Sequence, residues 1–132
     1  MNDKLIGRVG LVVLACSTLV APGQNSNTTQ QWAALVGNHY RVQSNITYKV
    51  ANGHTVRLDV YTPRSEEHRA TVIYIHGGGW IGGDKSRKGN PQKAWLAKGI
   101  SYAAINYRHT PQASLPAPVH DAARAIQFIR SK

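Results

Sequence analysis

The chain is poor in cysteine, in acidic residues and in long apolar runs. It has one cysteine, Cys16, and six Asp and Glu against sixteen Lys and Arg. A lone cysteine forms no internal disulfide and builds no cysteine-rich metal site. The longest apolar run, residues 9–21, is 13 residues, too short to cross a bilayer as a helix. The shortage of acids leaves a formal charge of +10, a balance that suits nucleic acid or an anionic membrane. The positive residues are scattered from Arg41 to Lys132, however, with one modest cluster of Lys85, Arg87, Lys88 and Lys93. No motif that reads DNA or RNA accompanies them, so a solvated basic surface is expected and a nucleic-acid partner is not. No metal and no cofactor is expected either. At 132 residues, 42% of them hydrophobic, the chain has room for one domain at most.

The first 23 residues read as an export signal. Lys4 and Arg8 supply a positive start, and "VGLVVLACSTLVA" supplies a short apolar core. Two processing routes follow from it. "VLAC" would make Cys16 a lipidated first residue, and "APG" before Gln24 offers small residues for ordinary cleavage. Secreted or periplasmic export is expected, with a lipid anchor through Cys16 as the other route. Residues 24–44 read as a polar linker, "QNSNTTQQ", and a short helix over 32–36.

From residue 45 onward the pattern is that of an α/β domain. "NITYKV" (45–50) and "TVRLDVYT" (55–62) alternate apolar and polar residues around Asn52-Gly53, which predicts a β-hairpin. "TVIYI" (71–75) and "SYAAINY" (101–107) are near-continuous apolar runs, as strands buried on both faces should be. Between them a helix is expected, with Asn90 as N-cap, Pro91 in its first turn and Gly99 as its stop. A second helix is expected from Pro118, with Val119, Ala122, Ala123, Ile126 and Ile129 on one face.

What the chain has in plenty is glycine after the first buried strand. In "YIHGGGWIGGDK" (74–85), Gly77, Gly79 and Gly82 match G-x-G-x-x-G. A dinucleotide site would also need a helix at once and an acid about 20 residues on. Gly89 and Pro91 delay the helix, and no acid falls between Asp84 and Asp121. "GGDKS" is similar to part of a phosphate loop, but Asp84 before the lysine would repel phosphate. An oxyanion hole fits better. Consecutive glycines let two backbone N–H groups face one space, where each donor stabilises a developing oxyanion by about 3 kcal/mol. The bland reading of the same residues is a tight structural loop.

The surroundings carry a resemblance. "YIHGGGWIGGDK", followed by "YRHTPQASLPAPVHDAARAIQFIR" and preceded by "YKVANGHTVRLDVYTP", resembles the α/β-hydrolase superfamily. It is most similar to its HGGGW esterases, the feruloyl/acetyl-esterase-like carbohydrate esterases and the hormone-sensitive-lipase-like carboxylesterases. The resemblance covers about residues 45–132. It implies the N-terminal half of a hydrolase sheet, a hairpin followed by parallel β-α-β-α. It implies Gly78 and Gly79 as oxyanion donors through their N–H groups, and His76 and Gly77 as loop support. Trp80 would line the acyl side. Arg108 and Asp121 would be structural, an ion pair tying the second buried strand to the last helix.

The same resemblance implies a nucleophilic serine in G-x-S-x-G, then an acid and a histidine. These 132 residues contain no G-x-S-x-G. Ser101 in "GISYA" lies at a helix-to-strand junction, the reverse of the required turn. The expected function is therefore the N-terminal part of an exported serine carboxyl-ester hydrolase, with the oxyanion loop but not the triad, the nucleophile strand or anything after it. An ester substrate is expected only if the C-terminal half is supplied. Two other readings stand beside it: a non-catalytic module pairing with another chain at the 71–75 strand edge, and a basic exported binder of anionic surfaces.

The leader is directly testable. Residues 1–30 fused to a reporter that needs an oxidising compartment should carry it across the membrane and be cleaved. With Cys16→Ser, continued cleavage marks ordinary secretion and arrested cleavage a lipoprotein. A reporter that stays inside would contradict the export reading.

Overall fold

A computed structural model of the chain describes residues 11–14, 26–65, 70–87 and 91–132. Two long strands, β2 (Tyr40–Ala51) and β3 (His54–Pro63), form the expected hairpin. Its turn residues Asn52 and Gly53 have φ of 51° and 76°, the paired positive values of a type I′ turn, which Asn-Gly adopts at little cost. In β3, Val56, Leu58 and Val60 point into one core while Asp59 and Tyr61 face the other side. That alternation fixes the register against its neighbours.

The buried runs become β4 (Thr71–Ile75) and β5 (Ser101–Ile105), paired in parallel from Thr71 opposite Ser101 to Ile75 opposite Ile105. β3 pairs antiparallel with β5, so the hairpin attaches to the parallel pair through β3. Helices cover both faces, which explains why β4 and β5 are apolar on both. On one face Ala125 and Ile129 of α3 (Ala117–Arg130) pack on Val56, Leu58, Val60, Ile73, Ala103 and Ile105. On the other, Trp32 and Val36 of α1 (Ser26–His39) join Trp95 and Leu96 of α2 (Gln92–Leu96) over Tyr40, Val72, Tyr74 and Tyr102.

Several boundaries differ from the sequence reading. α1 runs 14 residues instead of five, because the apolar signal that marks a helix is confined to Trp32, Leu35 and Val36, and the polar residues ahead of them carry none. β2 begins at Tyr40, not 45. Register shifts between Gln43 and Ile46, with Asn45 at φ 58°, interrupt the alternation that would have revealed its first half. Tyr40 is anchored there by donating its hydroxyl to the Leu96 carbonyl at 2.6 Å. Pro91 takes the N-cap position of α2 without a side-chain cap, and Asn90 lies outside the described residues. α3 starts at Ala117, one residue before Pro118.

The largest difference concerns the edge of the sheet. Within the segment read as an export signal, Leu11–Leu14 forms a strand, β1, and the sheet order is β1-β4-β5-β3-β2. β1 runs parallel to β4, from Leu11 opposite Thr71 to Leu14 opposite Tyr74. The 71–75 edge, expected to be open to another chain, is thus filled by the chain's own start. A row of unpaired N–H and C=O groups is a template for any extended apolar segment within reach, and residues 11–14 supply one. Cys16 lies outside the described residues, and among those residues no helix is long and apolar enough to cross a membrane.

Removing that strand should expose the edge. Chain lacking residues 1–23, or carrying Val13→Pro, which deletes a ladder N–H, is expected to self-associate at micromolar concentration by light scattering. The uncleaved parent should remain smaller. A truncated chain that stays monomeric would show that β4 needs no edge partner.

Candidate oxyanion loop

β4 delivers the chain to His76 and then to the glycines. The Ile81 N–H donates to the Gly78 carbonyl at 3.1 Å, closing a turn whose central residues Gly79 and Trp80 have φ of 60° and 67°. Gly79 meets this requirement freely. Trp80 does not, since a bulky side chain in the left-handed region costs about 1–2 kcal/mol. The compensation is local: its carbonyl accepts from the Thr110 N–H at 2.8 Å and the Thr110 hydroxyl at 3.2 Å. Its ring tilts over Tyr107, with centroids 5.6 Å apart. Trp80 nevertheless remains 40% exposed, beside the more exposed Ile81.

Two further glycines let the loop fold on itself. A Cβ on Gly78 would lie 1.9 Å from the Gly82 carbonyl oxygen, and one on Gly83 would lie 2.3 Å from the His76 ring. A Cβ on Gly77 or Gly79 would meet nothing within 4 Å, so that side of the loop is open. Among the described residues the N–H groups of Gly78 and Gly79 have no hydrogen-bond partner. A polar cleft of about 430 Å³ lies beside the far end of the loop, against Arg57, Lys85 and Asn106, and does not extend to these two glycines.

His76 is buried, with Nδ1 3.1 Å from the Gly77 carbonyl oxygen. A carbonyl only accepts, so Nδ1 carries the proton and Nε2 is left as an acceptor, buried and without a partner among the described residues. Burial holds the pKa of His76 below its ordinary value, and the neighbouring His109 pushes the same way against the Gly77 bond. His76 stacks on Tyr107 at 4.4 Å, and the Tyr107 hydroxyl donates to the His76 carbonyl at 2.7 Å. A neutral ring locked this way acts as a brace.

All three acidic residues among the described ones are engaged at this loop or one step behind it. Asp59 accepts from the buried Lys85 ammonium at 2.8 Å and from the Asn45 N–H at 2.7 Å. Asp84 accepts from the Asn106 amide at 2.7 Å and from the Ser86 N–H and hydroxyl. Burial alone would raise its pKa, but these bonds bring it down to about 2. Asp121 is fully buried and receives Arg108 through Nε at 2.7 Å, Nη2 at 2.9 Å and the backbone N–H at 3.1 Å. Lys49 adds its ammonium at 2.6 Å. The two cations outweigh the cost of burial and hold the Asp121 carboxyl below the usual range.

The structure thus brings His76 to Trp80 into one loop and joins Arg108 to Asp121 behind it. Sequence reasoning passed over Asp59, Asn106 and Tyr107, and it placed Lys85 on a solvated basic surface, whereas the structure buries it against Asp59. The available signal was an acid in the middle of a strand, Asp59, and an asparagine closing an otherwise apolar one.

With this geometry the comparisons with known proteins are informative. A profile of the BD-FAE family matches residues 58–132. The chain belongs to the BD-FAE family, an α/β-hydrolase group of the HGGG esterase type. The probable isoprenylcysteine alpha-carbonyl methylesterase of Oryza sativa subsp. japonica is 32% identical over 97 residues, which are 71% of this chain and 23% of that protein. The chain therefore spans about a quarter of the length of this curated relative. The esterase of Pyrobaculum calidifontis superposes with a TM-score of 0.54 at 28% identity, covering 78% of this chain and 34% of its own. A bifunctional GH43-CE protein of Bacteroides eggerthii gives 0.56 at 31% identity, over 68% of this chain and 13% of its own. The mixed sheet with helices on both faces is the fold these esterases share.

The Asp121 cluster should dominate stability. Asp121→Ala leaves Arg108 and Lys49 facing an empty buried site and should cost about 3–5 kcal/mol in urea unfolding. Because the folded pKa of Asp121 is depressed, its contribution is complete above the ordinary carboxyl range near pH 4 and is lost as pH falls below that. The parent should lose stability on acidification below about pH 4, and the variant should lose less. Equal acid sensitivity in both would place the titrating group elsewhere.

Proposed function

We propose that this chain supplies the oxyanion half of a serine carboxyl-ester hydrolase, with the N–H groups of Gly78 and Gly79 as the donors. One observation carries the reading: both N–H groups lack a partner among the described residues, at a loop with open space beside Gly77 and Gly79. Negative charge on an attacked ester carbonyl is what two such donors stabilise, and they do so best when already fixed in place. Trp80, partly exposed and held by Tyr107 and Thr110, forms the wall on the acyl side.

The nucleophilic serine, its acid and its histidine come from sequence outside these 132 residues. Neither Asp121 nor His109 replaces them, since Asp121 is saturated by two cations and His109 Nε2 has no hydrogen-bond partner among the described residues. The enzyme works after export, on acyl groups of polysaccharides in preference to short free esters. The methylesterase similarity makes a small ester the other substrate to assay.

Purified chain assayed with a short-chain aryl ester should match buffer, because a hole without a nucleophile retains little of the catalysis. In a protein completed with the rest of the domain, Gly79→Val should lower kcat by about 10²–10³ while KM changes little, since these bonds tighten in the transition state. Hydrolysis by the isolated chain that a serine-directed inhibitor abolishes would overturn the division of labour. A change confined to KM would reduce the glycines to substrate positioning.

A further inference from the structure

The loop does not hold its own shape; the five residues after β5 hold it. Tyr107 fixes its start, through the His76 carbonyl. Thr110 fixes its middle, through the Trp80 carbonyl. Asn106 fixes its end by a pair of contacts of opposite polarity. Its Oδ1 accepts from the Lys85 N–H and its Nδ2 donates to Asp84 Oδ2, both at 2.7 Å. The backbone of Asn106 belongs to the sheet, its N–H donating to the Arg57 carbonyl at 2.9 Å and its carbonyl accepting from the buried Tyr48 hydroxyl. One residue is therefore tied to the rigid sheet by its main chain and to the loop by its side chain.

We propose that Asn106 is the positioning residue of the oxyanion loop, transmitting the geometry of the sheet to Gly78 and Gly79 through Asp84 and Lys85. This rests on the esterase reading for its purpose, although not for its geometry. The site demands one acceptor and one donor on a short planar group, which an amide supplies and a carboxylate does not. A carboxylate there would face Asp84 and lose the donor. A neutral carboxylic acid would restore both contacts, since its carbonyl accepts from Lys85 and its hydroxyl donates to Asp84. The charged and titratable groups bonded to it or to its partners are Asp84, Lys85 with Asp59, and Tyr48, and His54, Arg57, Tyr107, Arg108 and His109 line the same cleft. Asp84 stays ionised well below neutrality and, as a like charge, raises the pKa of an introduced carboxyl.

The test is amide hydrogen exchange on the full chain, read as protection factors at pH 7 and pH 5 for Ile81 and Lys85 in the loop and Ala103 in β5. Asn106→Leu should lower protection at Ile81 and Lys85 by about tenfold at both pH values and leave Ala103 unchanged. Asn106→Asp should show the same loss at pH 7 and recover at pH 5. If the leucine variant does not fold, the pH pair within the aspartate variant decides alone. Unchanged loop protection in Asn106→Leu, an equal loss at Ala103, or no recovery of Asn106→Asp at pH 5 overturns the proposal. In the completed protein Asn106→Leu should lower kcat more than it alters KM. A completed parent that hydrolyses no ester would instead sink the esterase reading and leave the exchange result standing.

Discussion

The buried carboxylate of Asp121 is the constraint on which the rest hangs. It sits in the first turns of α3 with no solvent contact, and it accepts three hydrogen bonds from Arg108 and one from Lys49. Arg108 lies between the residues that hold the glycine loop, Asn106 and Tyr107 on one side and Thr110 on the other. Pinning it to α3 fixes the path of the chain as it leaves β5, and Lys49 ties the same carboxylate to β2. One acid therefore locks helix, hairpin and strand end together. Breaking it leaves the buried Arg108 without a counter-charge, which is far worse than never having placed it there.

From that fixed strand end the loop takes its shape, and the shape is strained. Gly78, Gly79, Trp80 and Gly83 all have positive φ, and two of the glycines are packed so closely that a methyl group would collide. Backbone conformations of this kind persist only where the surroundings over-determine them. Here the surroundings are five hydrogen bonds from Asn106, Tyr107 and Thr110, the His76 brace and the buried Asp59–Lys85 pair. Their combined effect is a loop whose Gly78 and Gly79 N–H groups have no hydrogen-bond partner among the described residues. The arrangement makes sense if the missing partner is a transient negative charge, because pre-aligned donors need no reorganisation when that charge appears.

Much of this was legible in the sequence. Asn52-Gly53 announced the hairpin, the apolar runs 71–75 and 101–107 announced strands covered on both faces, although the second strand ends at Ile105, and HGGGW with the later Asp-Ala-Ala-Arg helix announced the family. Less visible was anything that depended on irregularity. The bulge near Asn45 hid the first half of β2, since a register shift breaks the period-two pattern on which a strand is recognised. The edge strand Leu11–Leu14 was hidden for another reason: four apolar residues inside an apolar leader carry no periodicity of their own. Asp59, Lys85 and Asn106 escaped because a polar residue's partner is set by tertiary contact, 26 residues apart for the Asp59–Lys85 pair. Composition held a clue, for the three acids among the described residues of this cation-rich chain all sit where a cation or an N–H needs one.

The central claim is that Gly78 and Gly79 present their N–H groups to an oxyanion. The most direct measurement follows these two amide resonances in the completed, isotope-labelled protein as its serine is trapped by a phosphonate, whose charged oxygen mimics the tetrahedral intermediate. Both resonances should move downfield together, as amides do on donating to a strong acceptor, while loop amides facing away stay in place. Resonances of Gly78 and Gly79 that do not move on trapping would show that the loop binds no oxyanion, and the glycines would then be structural.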